Sequence, residues 1–357
     1  MQRILLSLTA LLTLFSLSAC HPAQEAETPV SLIFETDMGN DVDDVIALDL
    51  IHKAQDAGKA RLLMVGLNKS GGSAPEFIDI MDTWYGYPDI PIGIAPDAPL
   101  TFEDGGYNEA VCALRNEDGT PAFPRSLSDY GALPTAVRLY RQILAAQPDR
   151  SVVIASVGFS TNLADLMESV PDDLSPLDGM SLIRKKVKLL SIMAGDFTGS
   201  GHREYNVVTD LPAARKVIDA WPTEVVLSPW ELGMAVQYPA TSIENDFDWA
   251  DPHPLVEAYK AYLPMPYDRA TWDPTAVLYA LDGDKWFTVS EPGLVRVDEN
   301  GVTTFTPDPA GTRRCLSVTP EQAEAILTHF LEIVPRKPAG WQEPVGGTST
   351  GPSPTAR

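Results

Sequence analysis

Residues 35–44 read Glu35-Thr36-Asp37-Met38-Gly39-Asn40-Asp41-Val42-Asp43-Asp44, with four aspartates in eight positions from Asp37. Carboxylates this close repel one another unless something positive sits among them. A hard cation takes oxygen ligands, so the loop suits a divalent ion such as Ca2+. A solvated loop in which Asp43 caps a helix is the bland alternative. The apolar runs on either side weaken it. Two other loop chemistries fail. Counted from Asp37, an EF-hand needs Gly sixth and Glu twelfth, where this chain has Val42 and Leu48. A phosphate cradle needs several glycines and a lysine. This loop has one glycine and no lysine, and its carboxylates repel phosphate.

The elements that must position the loop alternate along the chain. Short apolar runs at 30–34, 62–65, 90–95, 151–157, 188–193 and 223–227 predict strands. Helical spacing falls at 45–54, 74–85, 135–146, 162–167, 212–220, 274–281 and 320–333. Residues 286–306 predict a β-hairpin turning at Asp298-Glu299-Asn300-Gly301. The pattern implies an α/β fold: a single domain over 30–335, with a mostly parallel sheet, helices on both faces and a late hairpin. The acidic loop follows the first strand, at the carboxyl edge where open α/β sheets bind ligands.

The 357 residues carry a formal net charge of -23, which argues against a nucleic-acid partner. Arg3, the apolar run from Ile4 and Leu17-Ser18-Ala19-Cys20 predict a lipoprotein signal over 1–19 with lipidation at Cys20. An ordinary signal peptide cut near Ala19 is the alternative. Residues 20–29 then form a tether, and 336–357 a tail rich in Pro, Gly, Ser and Thr. The expected location is exported and lipid-anchored, on the periplasmic face or cell surface. Cys112 and Cys315 either pair or stay separate thiols.

The acidic loop and its followers resemble the inosine–uridine-preferring nucleoside hydrolases. The family form is D-x-D-P-G-x-D-D. Here Glu35 replaces the first Asp, Met38 replaces Pro, and two extra residues precede Asp43-Asp44. That longer loop looks like a divergent secreted bacterial branch. The resemblance recurs in order at 65–68 (VGLN), 157–163 (VGFSTNL), 191–195 (SIMAG), Glu204-Tyr205-Asn206 with Asp210-x-x-Ala213-Ala214, and Trp272-Asp273-Pro274. It implies Ca2+-dependent hydrolysis of the N-glycosidic bond of nucleosides. By resemblance Asp37, Asp44, Asp273 and the Val157 carbonyl hold the ion, and Asp37 is also general base on the bound water. Asp43 and Asn68 bind ribose hydroxyls, Glu204 and Asn206 hold the 5′ and 3′ side, and Met193 lines the pocket. Such proteins often form homodimers or tetramers, though this sequence carries no interface signal.

Taken singly, most of these residues have plainer readings: Asp273 before Pro274 as a helix cap, Met193 as core, Asn162 as a turn residue. Asp41 stands as an alternative to Asp37 or Asp43. The pattern breaks at Trp272, where purine-competent members have a His that protonates the leaving base. An indole N–H only hydrogen-bonds, though the ring can stack on a base. Among the five histidines, His202 lies two residues before Glu204 in Gly199-Ser200-Gly201-His202-Arg203, and is the candidate acid or a solvated loop residue. His52 and His329 are expected at helix surfaces. Tyr205 and Trp84 are further aromatic candidates. Three functions stay open: a nucleoside hydrolase, a hydrolase of another N- or O-glycoside, and a binding protein without turnover.

Overall fold

The computed structural model describes residues 28–99 and 106–342. The expected signal, Cys20, most of the tether and the tail beyond residue 342 lie outside the described residues. The strands are β1 (Val30–Thr36), β2 (Ala60–Leu67), β3 (Ile92–Gly93), β4 (Val152–Ser156), β5 (Val187–Met193), β6 (Glu224–Ser228), β7 (Gln237–Tyr238), β8 (Arg269–Ala270), β9 (Thr288–Val289), β10 (Gly293–Val297), β11 (Thr303–Pro307) and β12 (Arg313–Ser317).

The main sheet runs β11-β10-β12-β6-β5-β4-β1-β2-β3, with β9 beside β12. From β3 to β12 every pairing along this order is parallel; β10, β11 and β9 add antiparallel edges. Both faces are buried, so the central strands are apolar throughout rather than alternating. In β1, Leu32 and Phe34 join one core layer with Val45, Ile46 and Phe77. Ile33, between them, joins the other with Ile154, Leu163 and Val217. A strand sends successive side chains to opposite faces, so one apolar run feeds both layers.

The expected architecture holds: one α/β domain, a largely parallel sheet and a late hairpin. Several details differ. The hairpin does not stand apart, because β12 returns parallel to β6 and carries β10 and β11 into the main sheet. The strand expected over 90–95 shortens to two residues. Helices over Tyr107–Ala113, Gly179–Lys186, Trp230–Ala235, Ala240–Asn245 and Pro254–Tyr262 escape the periodicity reading. They have nine residues or fewer, too short for a sustained 3.6-residue pattern. The packed domain also passes the expected boundary at 335. Trp341 is half-buried, with its ring 5.2 Å from Trp84 and 4.7 Å from Trp249. Cys112 and Cys315 are free thiols.

Candidate active site

The acidic loop leaves the carboxyl end of β1 and turns into the helix Asp43–Asp56. Gly39 makes the turn at φ +112°, which a side chain would strain. Tyr107 and Asn108, on the Tyr107–Ala113 helix, hold the loop from outside. The Tyr107 hydroxyl accepts from Gly39 N at 2.7 Å and donates to the Asp41 carbonyl at 2.9 Å, while Asn108 Nδ2 donates to Met38 O at 3.1 Å. Thr36 Oγ1 accepts from Met38 N at 3.0 Å and donates to Asp44 Oδ1. The aspartates therefore stand on a braced turn rather than a solvated loop, and Asp37, Asp43 and Asp44 are buried.

Asp273 reaches them from the helix Trp272–Asp282. One carboxylate oxygen from each of Asp43, Asp44 and Asp273 lies within 4.8 Å of the others. The bland cap reading of Asp273 fails, because its side chain caps no backbone N–H and its own N–H donates to Asp43 Oδ2 at 3.0 Å. Burial first, then repulsion from the neighbouring aspartates, Asp37 and Asp41 included, pushes all three carboxyls well above their ordinary range. Among the described residues, no lysine or arginine forms an ion pair with them. The alternative role for Asp41 closes differently: its carboxylate takes the Arg269 guanidinium, with Nε at 2.8 Å from Oδ1 and Nη2 on Oδ2. Asp41 is thus ion-paired, though its charge still raises Asp43, while Arg269 acts on Asp43 and Lys69 on Asp37 in the opposite sense.

Asp37 sits next to this trio. Its Oδ2 accepts from Asn40 Nδ2 at 2.5 Å. Burial raises its pKa to about 6. Gly158 explains the closeness of the next turn: a Cβ there would lie 2.5 Å from Asp37 N and 2.4 Å from Asn68 Oδ1.

These residues floor a cavity of about 380 Å³, walled by Val157, Met193, His202, Glu204, Tyr205, Asn206, Trp230, Tyr262, Arg269 and Trp272 among others. The Val157 carbonyl, expected as a metal ligand, accepts from Asn206 Nδ2 at 2.8 Å. The same amide group lies 3.2 Å from Met193 Sδ. Glu204 caps the helix Tyr205–Thr209 and takes backbone N–H groups of Asn206, Val207 and Gly195 at 2.7, 3.1 and 3.2 Å. Burial still raises its pKa to about 7. Trp272 lies on the wall with its Nε1 donating to Trp230 O at 2.9 Å.

Asn68 stands apart from this lining. It is wholly buried behind Asp37, where its Oδ1 accepts from Phe159 N at 2.9 Å and its Nδ2 donates to Glu35 at 3.2 Å. Asn162 Nδ2 reaches the same Glu35 oxygen at 2.9 Å, so it does more than close a turn. Burial raises Glu35 to about 7.

The histidines need correction. His52 is not at a surface: it is fully buried, 2.9 Å from Asp82. His329 is half-buried and stacks on Trp286. Among the described histidines only His202 lines the cavity, and Trp84 packs away from it against Phe123 and His253. Arg269, Tyr107, Asp196 and Trp230 escape a sequence reading, because each gains its role from partners distant in the chain or from an undistinguished loop.

With this geometry in place, the family model described as inosine-uridine preferring nucleoside hydrolase matches residues 32–324. Among solved structures, a plant nucleoside hydrolase is 20% identical at TM-score 0.63, covering 85% of this chain and 99% of that one. A purine-preferring ribonucleoside hydrolase from Gardnerella vaginalis is 17% identical at TM-score 0.64, with the same coverages. An inosine-uridine preferring nucleoside hydrolase from Bacillus anthracis is 18% identical at TM-score 0.64, again covering 85% and 99%. No curated protein matches the chain.

Proposed function

Because the chain belongs to the inosine-uridine preferring nucleoside hydrolase family, we propose that it hydrolyses the N-glycosidic bond of nucleosides in a Ca2+-dependent reaction. The observation that carries this is the trio Asp43, Asp44 and Asp273, buried with Asp37 at the floor of the cavity without a lysine or arginine ion pair to the trio among the described residues. That donor set, oxygen-only and anionic, fits Ca2+. Asp37, Asp44, Asp273 and the Val157 carbonyl would hold it, and Asp43, which the structure groups with Asp44 and Asp273, stands between ligand and sugar contact. When bound, such an ion lowers the pKa of water and grips vicinal hydroxyls.

The chain's own residues supply the rest. Cleavage builds positive charge on the sugar ring, and the carboxylates stabilise it. Asp37, with its pKa raised toward neutrality, is placed to take a proton from the attacking water. Asn206 is anchored to the Val157 carbonyl and lines the cavity beside Glu204, where a sugar's hydroxyls would lie. Tyr205, Trp230 and Trp272 give an aromatic wall for a planar base. Trp272 also favours a second reading, another glycoside whose leaving group needs no acid at that position.

The decisive assay incubates the purified protein with a nucleoside panel, with Ca2+ or a chelator, and quantifies free base and reducing sugar. Base release that requires Ca2+ is the expected result. Calcium-stabilised protein that releases no base would point to another glycoside or to binding alone.

We also infer export and anchoring through Cys20. Val30 begins β1 and Asp37 follows its other end, so the tether joins the domain at the sheet edge opposite the cavity. Labelling with a fatty-acid analogue, lost in Cys20→Ser, tests this.

A further inference from the structure

Trp272 stands where the family resemblance expects a proton-donating histidine, and an indole cannot protonate a departing base; the loop after β5 answers this. That loop, residues 195–203, wraps its polar groups around Asp196, a buried carboxylate. Asp196 Oδ1 accepts from Thr198 N at 2.7 Å and Thr198 Oγ1 at 2.5 Å. Its Oδ2 accepts from Ser200 Oγ at 3.3 Å and faces His202 Nδ1 at 3.2 Å. Burial would raise this carboxyl, but the bonds from Thr198 and Ser200 and the nearby His202 outweigh it, and its pKa lies below the ordinary range.

The late hairpin braces the arrangement. Thr303 on β11 accepts from Asp196 N at 2.9 Å and donates to Asp196 O at 2.8 Å, and Arg203 Nε donates to Asn300 O at 2.6 Å. Glu231 receives Phe197 N at 3.2 Å. The imidazole rests against Trp230, ring centres 4.7 Å apart, and Trp230 carries the carbonyl that holds the Trp272 indole. Asp196 thus takes Nδ1. Nε2 is left for the cavity that His202 lines, and the imidazole stays part-exposed to solvent, from which it can regain a proton.

We propose that Asp196 is a positioning residue that holds His202 with Nε2 toward the leaving group, so that His202 supplies the proton Trp272 cannot. This rests on the N-glycosidic reading above. The bond from the sugar's anomeric carbon to the base nitrogen breaks, its electron pair goes to that nitrogen, and the nitrogen takes the proton of His202 Nε2. Water forms the new carbon–oxygen bond and gives its proton to Asp37. Asp37 and His202 then exchange protons with solvent, and no redox partner is needed. An aspartate on Nδ1 fixes the tautomer and stabilises the imidazolium, the role such a carboxylate has in hydrolytic triads.

The test compares two substrates in Ca2+. Inosine needs its base protonated; 4-nitrophenyl riboside releases a stable phenolate and does not. His202→Gln should lower kcat on inosine by roughly 10²–10⁴-fold, the range of general acid catalysis. Turnover of the nitrophenyl riboside should change less than about threefold on the same logic. Asp196→Asn should show the same selectivity with a smaller loss, and Asp196→Glu should recover part of it. The nitrophenyl substrate doubles as the folding control. Equal losses on both substrates, or no loss on inosine, would overturn the proposal alone. A wild-type protein that cleaves neither substrate would overturn the N-glycosidic reading and this proposal with it.

Discussion

The helix Asp43–Asp56 carries two buried polar clusters, one at each end, and they handle charge in opposite ways. At its C-terminal end Asp49 accepts from the Tyr85 hydroxyl and lies 3.9 Å from Lys53. Lys53 Nζ in turn donates to the Arg336 carbonyl, and His52 meets Asp82 at 2.9 Å. Each acid there has a basic partner supplied by the chain. At the N-terminal end Asp43, Asp44 and Asp273 face one another and Asp37. Burying an ion without a partner costs several kcal/mol, so chains rarely do it without a use. The difference is one of counter-charge: the acids of the first cluster face a lysine and a histidine of the chain, whereas the trio is an anionic donor set that, on the proposed function, a cation would complete.

The sharpest break of this comparison is a pair of substitutions on one helix. Asp44→Ala should reduce turnover to background and remove calcium stabilisation. At a Ca2+ concentration near 100 times Kd the wild-type protein should gain about 2.7 kcal/mol, and the variant none, read by thermal unfolding with and without a chelator. Asp49→Ala should do the reverse. It strands Lys53 and should cost about 3–5 kcal/mol of stability while the folded fraction keeps its kcat and its response to Ca2+. Loss of calcium stabilisation in Asp49→Ala would mean that the helix is not divided in this way.

The pH dependence of stability sharpens the same contrast. Burial raises Asp37 from 3.8 to about 6, and Glu35 and Glu204 from 4.5 to about 7. A carboxyl whose pKa is higher in the folded state binds its proton more tightly there. Between about pH 4 and 7 the folded state therefore holds more protons than the unfolded one, and stability falls as pH rises through that window. Protein stripped of metal should accordingly melt lower at pH 7.5 than at pH 5. Asp49, also raised to about 6, adds to this slope whether or not calcium is present. With excess Ca2+ the site must release its protons to bind, so calcium stabilisation should grow across the same interval. Parallel melting curves with and without Ca2+ would remove the metal from the site.

How far this was legible follows from where each partner sits in the chain. Asp37 to Asp44 are contiguous, and their crowding is visible without a fold. The parallel sheet is visible too, because strands buried on both faces are apolar throughout. Asp41 looked interchangeable with its neighbours because Arg269, which pairs with it, lies 228 residues away. His52 read as a surface residue for the same reason: Asp82, its buried partner, belongs to another helix. Asp196 offered no signal at all, since an aspartate in a loop of Gly, Ser and Thr reads as a turn. Asn68 and Glu204 are both expected against the sugar, yet only Glu204 lines the cavity, and the hydrogen bonds of both go to protein groups, which a motif cannot reveal.

The smallest expected effect concerns the brace outside the acidic turn. Tyr107 holds Gly39 N and the Asp41 carbonyl with one hydroxyl and touches no member of the trio through a hydrogen bond. Burial, with the nearby acids, pushes its pKa well above the ordinary value, so it stays a neutral donor and acceptor. Tyr107→Phe keeps the ring that packs on Phe77 and Tyr262 and removes only the hydroxyl. Two bonds lost at about 0.5–1.5 kcal/mol each set the scale of the stability change. Groups that orient metal ligands from behind typically cost 10–100-fold in affinity or activity when removed. Since Tyr107 orients the backbone rather than a ligand atom, calcium affinity should weaken by about tenfold, at the low end of that range. Titration calorimetry reads it directly. If affinity is unchanged while stability falls, the turn keeps its shape through Thr36 and Asn108 alone, and the site's precision resides in β1 rather than in the helix that covers it.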